Sequence, residues 1–245
     1  MDLPFDAPGG HLPLPLSFAE PPIPGGTGTI LVFGGSFDPP HVGHSLLASH
    51  ARVAAGLDWL LVIPAAQSPH KDAPPLFEPE ERLKLVKLAF ANDSHASVSR
   101  MELDRRAKRP SEPSYTVDTL HTLRGFLPLG VQMRLLLGAD QVLSLHRWLE
   151  PLAIMAMAEP LVMRRTGESE EGAELAERIA ANWPASGRGL AAQDWAKRII
   201  DVPLVDASST EVRRWLGEPE SEQREARLRE LLEPAVYERV RKLRL

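Results

Sequence analysis

Residues 33–44 read Phe-Gly-Gly-Ser-Phe-Asp-Pro-Pro-His-Val-Gly-His. Gly34 and Gly35 let the backbone approach a ligand closely, and their N–H groups can cradle an anion. Ser36 and Phe37 continue the same loop. His41 and His44 follow three positions apart, a spacing that puts both rings on one face if a helix starts there. The positive end of that helix would add to the attraction for anions. Imidazoles so placed donate hydrogen bonds to phosphoryl oxygens. As metal ligands the pair would need at least a third protein partner, and none is obvious nearby. The glycine spacing is not G-x-G-x-x-G, which disfavours a dinucleotide-binding Rossmann site.

A second anion-suited stretch lies far along the chain, Ser208-Ser209-Thr210-Glu211-Val212-Arg213. Ser208 or Ser209 can cap a helix whose free N–H groups face an anion. Arg213, about one turn further, can grip phosphate in a bidentate manner. Lys71 follows an apolar run and offers a point charge suited to phosphate.

These side chains need elements to carry them. Residues 29–33 and 59–64 are β-branched and apolar, as buried parallel strands are. Strands are also expected at 97–103, from 131 into a Gly138-Ala139-Asp140 turn, at 160–165 and at 199–205. Helices are expected over 41–55, over 78–92 with Pro79 in the first turn, and over 115–127 with Ser114 as N-cap. Strand–helix–strand alternation implies parallel pairing and right-handed crossovers, hence an α/β fold with a doubly wound parallel sheet. Ligands in such sheets sit beyond the carboxyl ends of the strands. Both the glycine–histidine loop and Lys71 fall there.

Around that sheet, residues 1–26 form a Pro-rich extended tail, and 27–245 form a single domain. Within it, 166–198 reads as a helical insertion. Residues 206–245 carry the Ser-Ser-Thr helix and a C-terminal helical cap. Composition narrows the partners: 245 residues, 43% hydrophobic and 25% charged, suit a globular protein with a real core. Asp2, Asp6 and Glu20 supply three units of the formal net charge of −5, so the remainder is close to neutral. That balance offers no general attraction to nucleic acid or to an anionic membrane. No apolar run approaches the roughly 20 residues a bilayer span needs. The lack of cysteine and of a basic secretory leader fits a cytoplasmic protein.

The run from Gly34 to His44 resembles the signature of the nucleotidyltransferase superfamily that carries an H-x-G-H motif, here His41-Val42-Gly43-His44. Within it, the chain is similar to the bacterial nicotinate mononucleotide adenylyltransferases. Residues 69–71 (Pro-His-Lys), 114–120, 137–148 and 208–213 match in the family's order. The resemblance covers about residues 28–245. It implies a Rossmann-like nucleotidyltransferase fold and transfer of AMP from ATP to nicotinate mononucleotide, with Mg²⁺ accompanying ATP. It also implies roles for further residues. Thr116 and Trp148 would read the pyridine ring, the indole by stacking. Gly138 and Asp140 would take the ribose. Gly34, Gly35, Ser36, Phe37, Lys71, Ser208, Ser209 and Thr210 would hold phosphates, and His41, His44 and Arg213 would serve the transfer.

The chain departs from the family's pattern in three places. Ala207 stands where a larger aliphatic is frequent, and Leu149 where an aromatic is common. The stretch before Ser114 is long and basic, with Arg105, Arg106, Lys108 and Arg109 read as a solvated loop. Pantetheine-phosphate adenylyltransferases, cytidylyltransferases and a non-catalytic nucleotide sensor share parts of the pattern. Residues 69–71, 114–120 and Trp148 favour the nicotinate enzymes over the other transferases, and the intact His41, His44 and Arg213 disfavour a sensor.

Overall fold

The apolar runs expected to be strands do pair in parallel. In the computed structural model, which describes residues 27–66, 74–110, 112–165, 171–183 and 191–243, six strands form one sheet. They are β1 (Thr27–Gly35), β2 (Trp59–Pro64), β3 (Ala96–Val98), β4 (Gly130–Gly138), β5 (Ala158–Arg165) and β6 (Ile199–Val202). Their order is β3-β2-β1-β4-β5-β6, and every pairing is parallel. Chain order reverses direction between β1 and β4, and a crevice for ligands opens at such a switch point.

Alternation along the central strands divides the core in two. Leu31, Phe33, Leu60 and Val62 point to one face. There they meet α1 (Val42–Ala54), α2 (Pro79–Ala89), α9 (Ser209–Leu216), α10 (Glu222–Leu231) and α11 (Pro234–Lys242). Ile30, Val32, Leu61 and Ile63 point to the other. That face is covered by α3 (Met101–Lys108), α4 (Thr116–Phe126), α5 (Ala139–Ser144), α6 (Pro151–Met157), α7 (Gly172–Ala181) and α8 (Ala192–Ala196). The fold is therefore a doubly wound parallel sheet with a helical C-terminal region. Helices α7 and α8 bring Trp183 and Trp195 together at 6.4 Å, and Trp195 is fully buried.

Five expectations need correction. The strand expected over 97–103 stops at Val98, and Met101–Lys108 is a helix. Glu102 and Asp104 in its first turn and Arg105, Arg106 and Lys108 in its last suit the helix dipole, so the basic stretch is mostly helix and not loop. Tyr115, not Ser114, is the N-cap of α4. Gly138 caps α5, so residues 139–140 open a helix where a turn was expected. Strand β6 ends at Val202 because Pro203 has no N–H to extend the ladder. The Pro-rich tail, and Lys71 with it, lie outside the described residues.

Candidate active site

A cavity of about 890 Å³ opens beyond the ends of β1 and β4. Its phosphate-suited end is the loop after β1. Gly34 and Gly35 finish the strand, and Phe37 follows in the left-handed region at φ 46°, a costly conformation that a surrounding structure must impose. The Phe37 ring is held edge-on by Phe33 at 5.3 Å and by His44 at 5.0 Å. It also lies over Gly35, where a Cβ would come within 2.8 Å of it, so no other residue fits.

His41 is the N-cap of α1, and its backbone N–H donates to His44 Nδ1 at 3.1 Å. That bond fixes the tautomer of the neutral His44 ring, which carries its proton on Nε2. The two rings sit 3.7 Å apart between centroids. Gly43 makes this possible: a Cβ there would meet Cε1 and Nδ1 of His41 at 3.0 Å. The glycine inside the H-x-G-H pattern is thus the space that the first histidine occupies.

The Ser-Ser-Thr helix docks on the same loop. Ser208 caps α9 by accepting from the Glu211 N–H at 3.1 Å, and Ser209 Oγ donates to the Pro39 carbonyl at 2.9 Å. Arg213 donates from Nη1 to the Asp38 carbonyl at 2.7 Å and from Nη2 to Thr210 Oγ1 at 3.1 Å. Of this group Ser209 lines the cavity together with Ala207, whereas Ser208 and Thr210 are exposed and Arg213 is half-buried beside the loop. Arg213 braces the loop, and two of its five N–H groups are engaged in doing so.

Two residues with no assigned role on sequence grounds complete this end. The Asp38 carboxylate accepts from the N–H groups of Leu76 and Phe77, both at 2.9 Å. Arg82 is buried and spreads its guanidinium over four carbonyls: Ser36 and Ala65 at 2.7 Å, Ala66 at 3.1 Å and Phe77 at 3.2 Å. It joins the loop after β1 to the loop after β2. Burial pulls its pKa down, and the charges of Asp38, Glu78 and Glu102 oppose that shift. A signal for Arg82 was present, since it shares a helix face with buried Val86 and Ala89.

The opposite end is assembled from separate elements. Thr116 opens α4, Gly138 and Asp140 lie at the start of α5, and Trp148 follows a 3₁₀ turn, Leu145–Arg147; all four line the cavity. Trp148 Nε1 donates to Ser144 Oγ at 3.3 Å. A Cβ on Gly138 would meet Asp140 Oδ1 at 2.8 Å, so Gly138 keeps the carboxylate in place. Leu149 also lines this end. So do Thr119, within the matching stretch 114–120 but given no role there, and Glu102, which no sequence pattern had marked.

Gly34, Gly35, Ser36, Phe37, His41 and His44 thus share one cavity with Thr116, Gly138, Asp140 and Trp148. An anion-suited loop and a docked helix N-terminus at the switch point of a 3-2-1-4-5-6 parallel sheet define a nucleotide-binding α/β protein of the nucleotidyltransferase class.

Comparison with known proteins narrows the class. Residues 32–215 match the family described as "Cytidylyltransferase-like". A protein of Roseiflexus sp. (strain RS-1), described as "Probable nicotinate-nucleotide adenylyltransferase", is 36% identical over 75% of this chain and 83% of its own. One from Stenotrophomonas maltophilia with the same description is 35% identical over the same shares. The Plasmodium falciparum nicotinic acid mononucleotide adenylyltransferase complexed with NaAD superposes with a TM-score of 0.63, covering 89% of this chain and 97% of that one, at 18% identity. At that identity the likeness speaks for the fold alone. The chain belongs to the cytidylyltransferase-like family and, within it, to the nicotinate-nucleotide adenylyltransferases. Among the described residues, no helix is long and apolar enough to cross a membrane.

Proposed function

We propose that this protein transfers AMP from ATP to nicotinate mononucleotide, forming nicotinate adenine dinucleotide and pyrophosphate in NAD biosynthesis. The observation that carries this reading is the joining of the two ends in one cavity. His41 and His44 stand at one end, and Thr116 and Trp148 at the other. The names of the relatives point the same way.

A phosphate oxygen of the mononucleotide attacks the α-phosphorus of ATP in line. The bond from that phosphorus to the bridging oxygen breaks, and pyrophosphate leaves with the electron pair. The protein's share is positioning and charge stabilisation. Gly34, Gly35, Ser36 and Phe37 present backbone to the triphosphate. His44 donates from Nε2 to the phosphoryl oxygens that gain charge, with the His41 ring tilted beside it. Ser209 and the start of α9 receive the leaving pyrophosphate, and Ser208, Thr210 and Arg213 hold that helix to the loop. Arg213 adds its charge and its remaining N–H groups to the phosphates. Lys71 supplies a further positive charge to the phosphates. Trp148 stacks on the pyridine ring, Thr116 donates to its substituent, and Asp140 beside Gly138 accepts from ribose hydroxyls.

Among the described residues no cluster of three or more His, Asp or Glu could hold a metal ion. Mg²⁺ would accompany the ATP substrate and supply charge neutralisation on the triphosphate, with phosphate oxygens and water as its expected ligands. We infer a cytoplasmic protein acting on these small molecules, with neither nucleic acid nor membrane as partner.

The test is pyrophosphate release from Mg²⁺-ATP with a panel of acceptors. Turnover with nicotinate mononucleotide at the highest kcat/KM is the expected result. Turnover with phosphopantetheine alone, or none with any acceptor despite tight ATP binding, would overturn the proposal.

A further inference from the structure

The ring end of the cavity carries a cation that the transfer step does not use. Arg147 lines it and is exposed, so it stands at the rim. Among the described residues it is the only lysine or arginine of the lining. Within those residues no hydrogen bond or ion pair engages its guanidinium. Arg82 and Arg213, by contrast, spend theirs on loop carbonyls. Two carboxylates share this end, Asp140 and Glu150, and neither pairs with Arg147. Glu102, the third acid of the lining, is buried with its carboxyl on Thr119.

The wall that bears Arg147 is set by short-range bonds. Leu145–Arg147 is the 3₁₀ turn, closed by the Trp148 N–H donating to the Leu145 carbonyl at 3.0 Å. The indole is tied to Ser144. Two residues on, Glu150 sits at φ 50°, in the left-handed region, directly before Pro151 and α6. Such a backbone is costly for a non-glycine residue and persists only where its surroundings hold it. Arg147 therefore extends from a fixed point next to the indole assigned above to the pyridine ring. Consecutive Cα atoms lie about 3.8 Å apart, so a side chain as long as arginine reaches the edge of a ring stacked on its neighbour.

Location decides which anion it meets. The mononucleotide has two, its phosphate and the carboxylate of its ring. The phosphate attacks beside His44, at the other end of the cavity, which leaves the ring carboxylate for this end. Asp140 and Glu150 alone would repel that carboxylate and favour the neutral amide of a nicotinamide ring. We propose that Arg147 is a specificity-determining residue of the acceptor subsite: its guanidinium pairs with the nicotinate carboxylate, offsets the two acidic neighbours and so selects nicotinate over nicotinamide mononucleotide. Its planar fork of N–H donors suits a carboxylate in two parallel bonds, which an ammonium does not reproduce. This inference rests on the proposed transfer to nicotinate mononucleotide.

The experiment compares kcat/KM for nicotinate and nicotinamide mononucleotides over a range of salt concentrations, in wild type, Arg147→Ala and Arg147→Lys. Nicotinamide mononucleotide is followed as a substrate and also as a competitive inhibitor, so its affinity is read even where turnover is slow. Arg147→Ala should lower kcat/KM for nicotinate mononucleotide by about tenfold, the scale of a hydrogen bond to a charged group, with the loss in KM. The value for nicotinamide mononucleotide should hold or rise, and Arg147→Lys should fall between wild type and Arg147→Ala. Added salt should lower the wild-type preference by screening the pair. In Arg147→Ala only carboxylates remain at this end, so salt should leave the preference level or raise it. An equal loss with both substrates would place Arg147 on the phosphate they share and refute the role, as would an unchanged preference. Either result leaves the transfer reaction standing. Failure of the wild type to turn over nicotinate mononucleotide under any condition sinks the transfer reaction and this inference with it.

Discussion

The two ends of the cavity are built differently. At the phosphate end, one run of about a dozen residues makes its own geometry. Gly35 accepts the Phe37 ring, Gly43 accepts the His41 ring, and the His41 backbone orients His44. At the ring end, Thr116, Asp140, Trp148 and Glu102 come from four elements and are brought together by packing on one face of the sheet. The first design holds reacting groups stiffly, as phosphoryl transfer requires. The second can vary one wall at a time, which is how a shared fold changes acceptor. Arg82 links the loops after β1 and β2, and so belongs to the frame of the phosphate end.

Substitutions can break or sharpen that contrast. The largest effect is expected from His44→Ala, a loss of about 100-fold or more in kcat, near 3 kcal/mol of transition-state stabilisation. Both KM values should stay close to wild type, and a near-normal kcat would mean that the histidines serve only structure. Arg82→Lys comes next. A lysine keeps the charge but cannot reach four carbonyls at once, so stability should fall by about 2 kcal/mol in thermal or denaturant unfolding. Because Arg82 joins the two loops of the phosphate end, KM for ATP should rise more than KM for the mononucleotide; equal rises would place it beneath both ends. Trp148→Ala is the mildest. Loss of stacking should raise KM for the mononucleotide by about tenfold, near 1.4 kcal/mol, and leave KM for ATP unchanged. Equal changes in both would remove the distinction between the ends.

The same contrast explains which features were legible. Strands β1, β2, β4 and β5 stood out because buried parallel strands are continuous apolar runs. The glycine–histidine loop and the Ser208 cap were legible because their bonds close within three residues. Residues 97–103 misled because Met101 and Leu103 alternate with polar neighbours as strand residues do. The charges flanking them in fact belong to the ends of α3. Arg213 was identified, but its bracing of the loop was not, because its partner Asp38 lies 175 positions away.

Local patterning was thus enough for the parallel architecture, the phosphate loop and the family. Periodicity and short-range hydrogen bonds are written in neighbouring residues. Strand order, the wall on which Trp148 and Thr116 meet, the four carbonyls gathered by Arg82 and the burial of Glu102 were decided by tertiary packing. Burial and long-range partners depend on which elements come to lie side by side, and a buried charge looks no different in sequence from one in water.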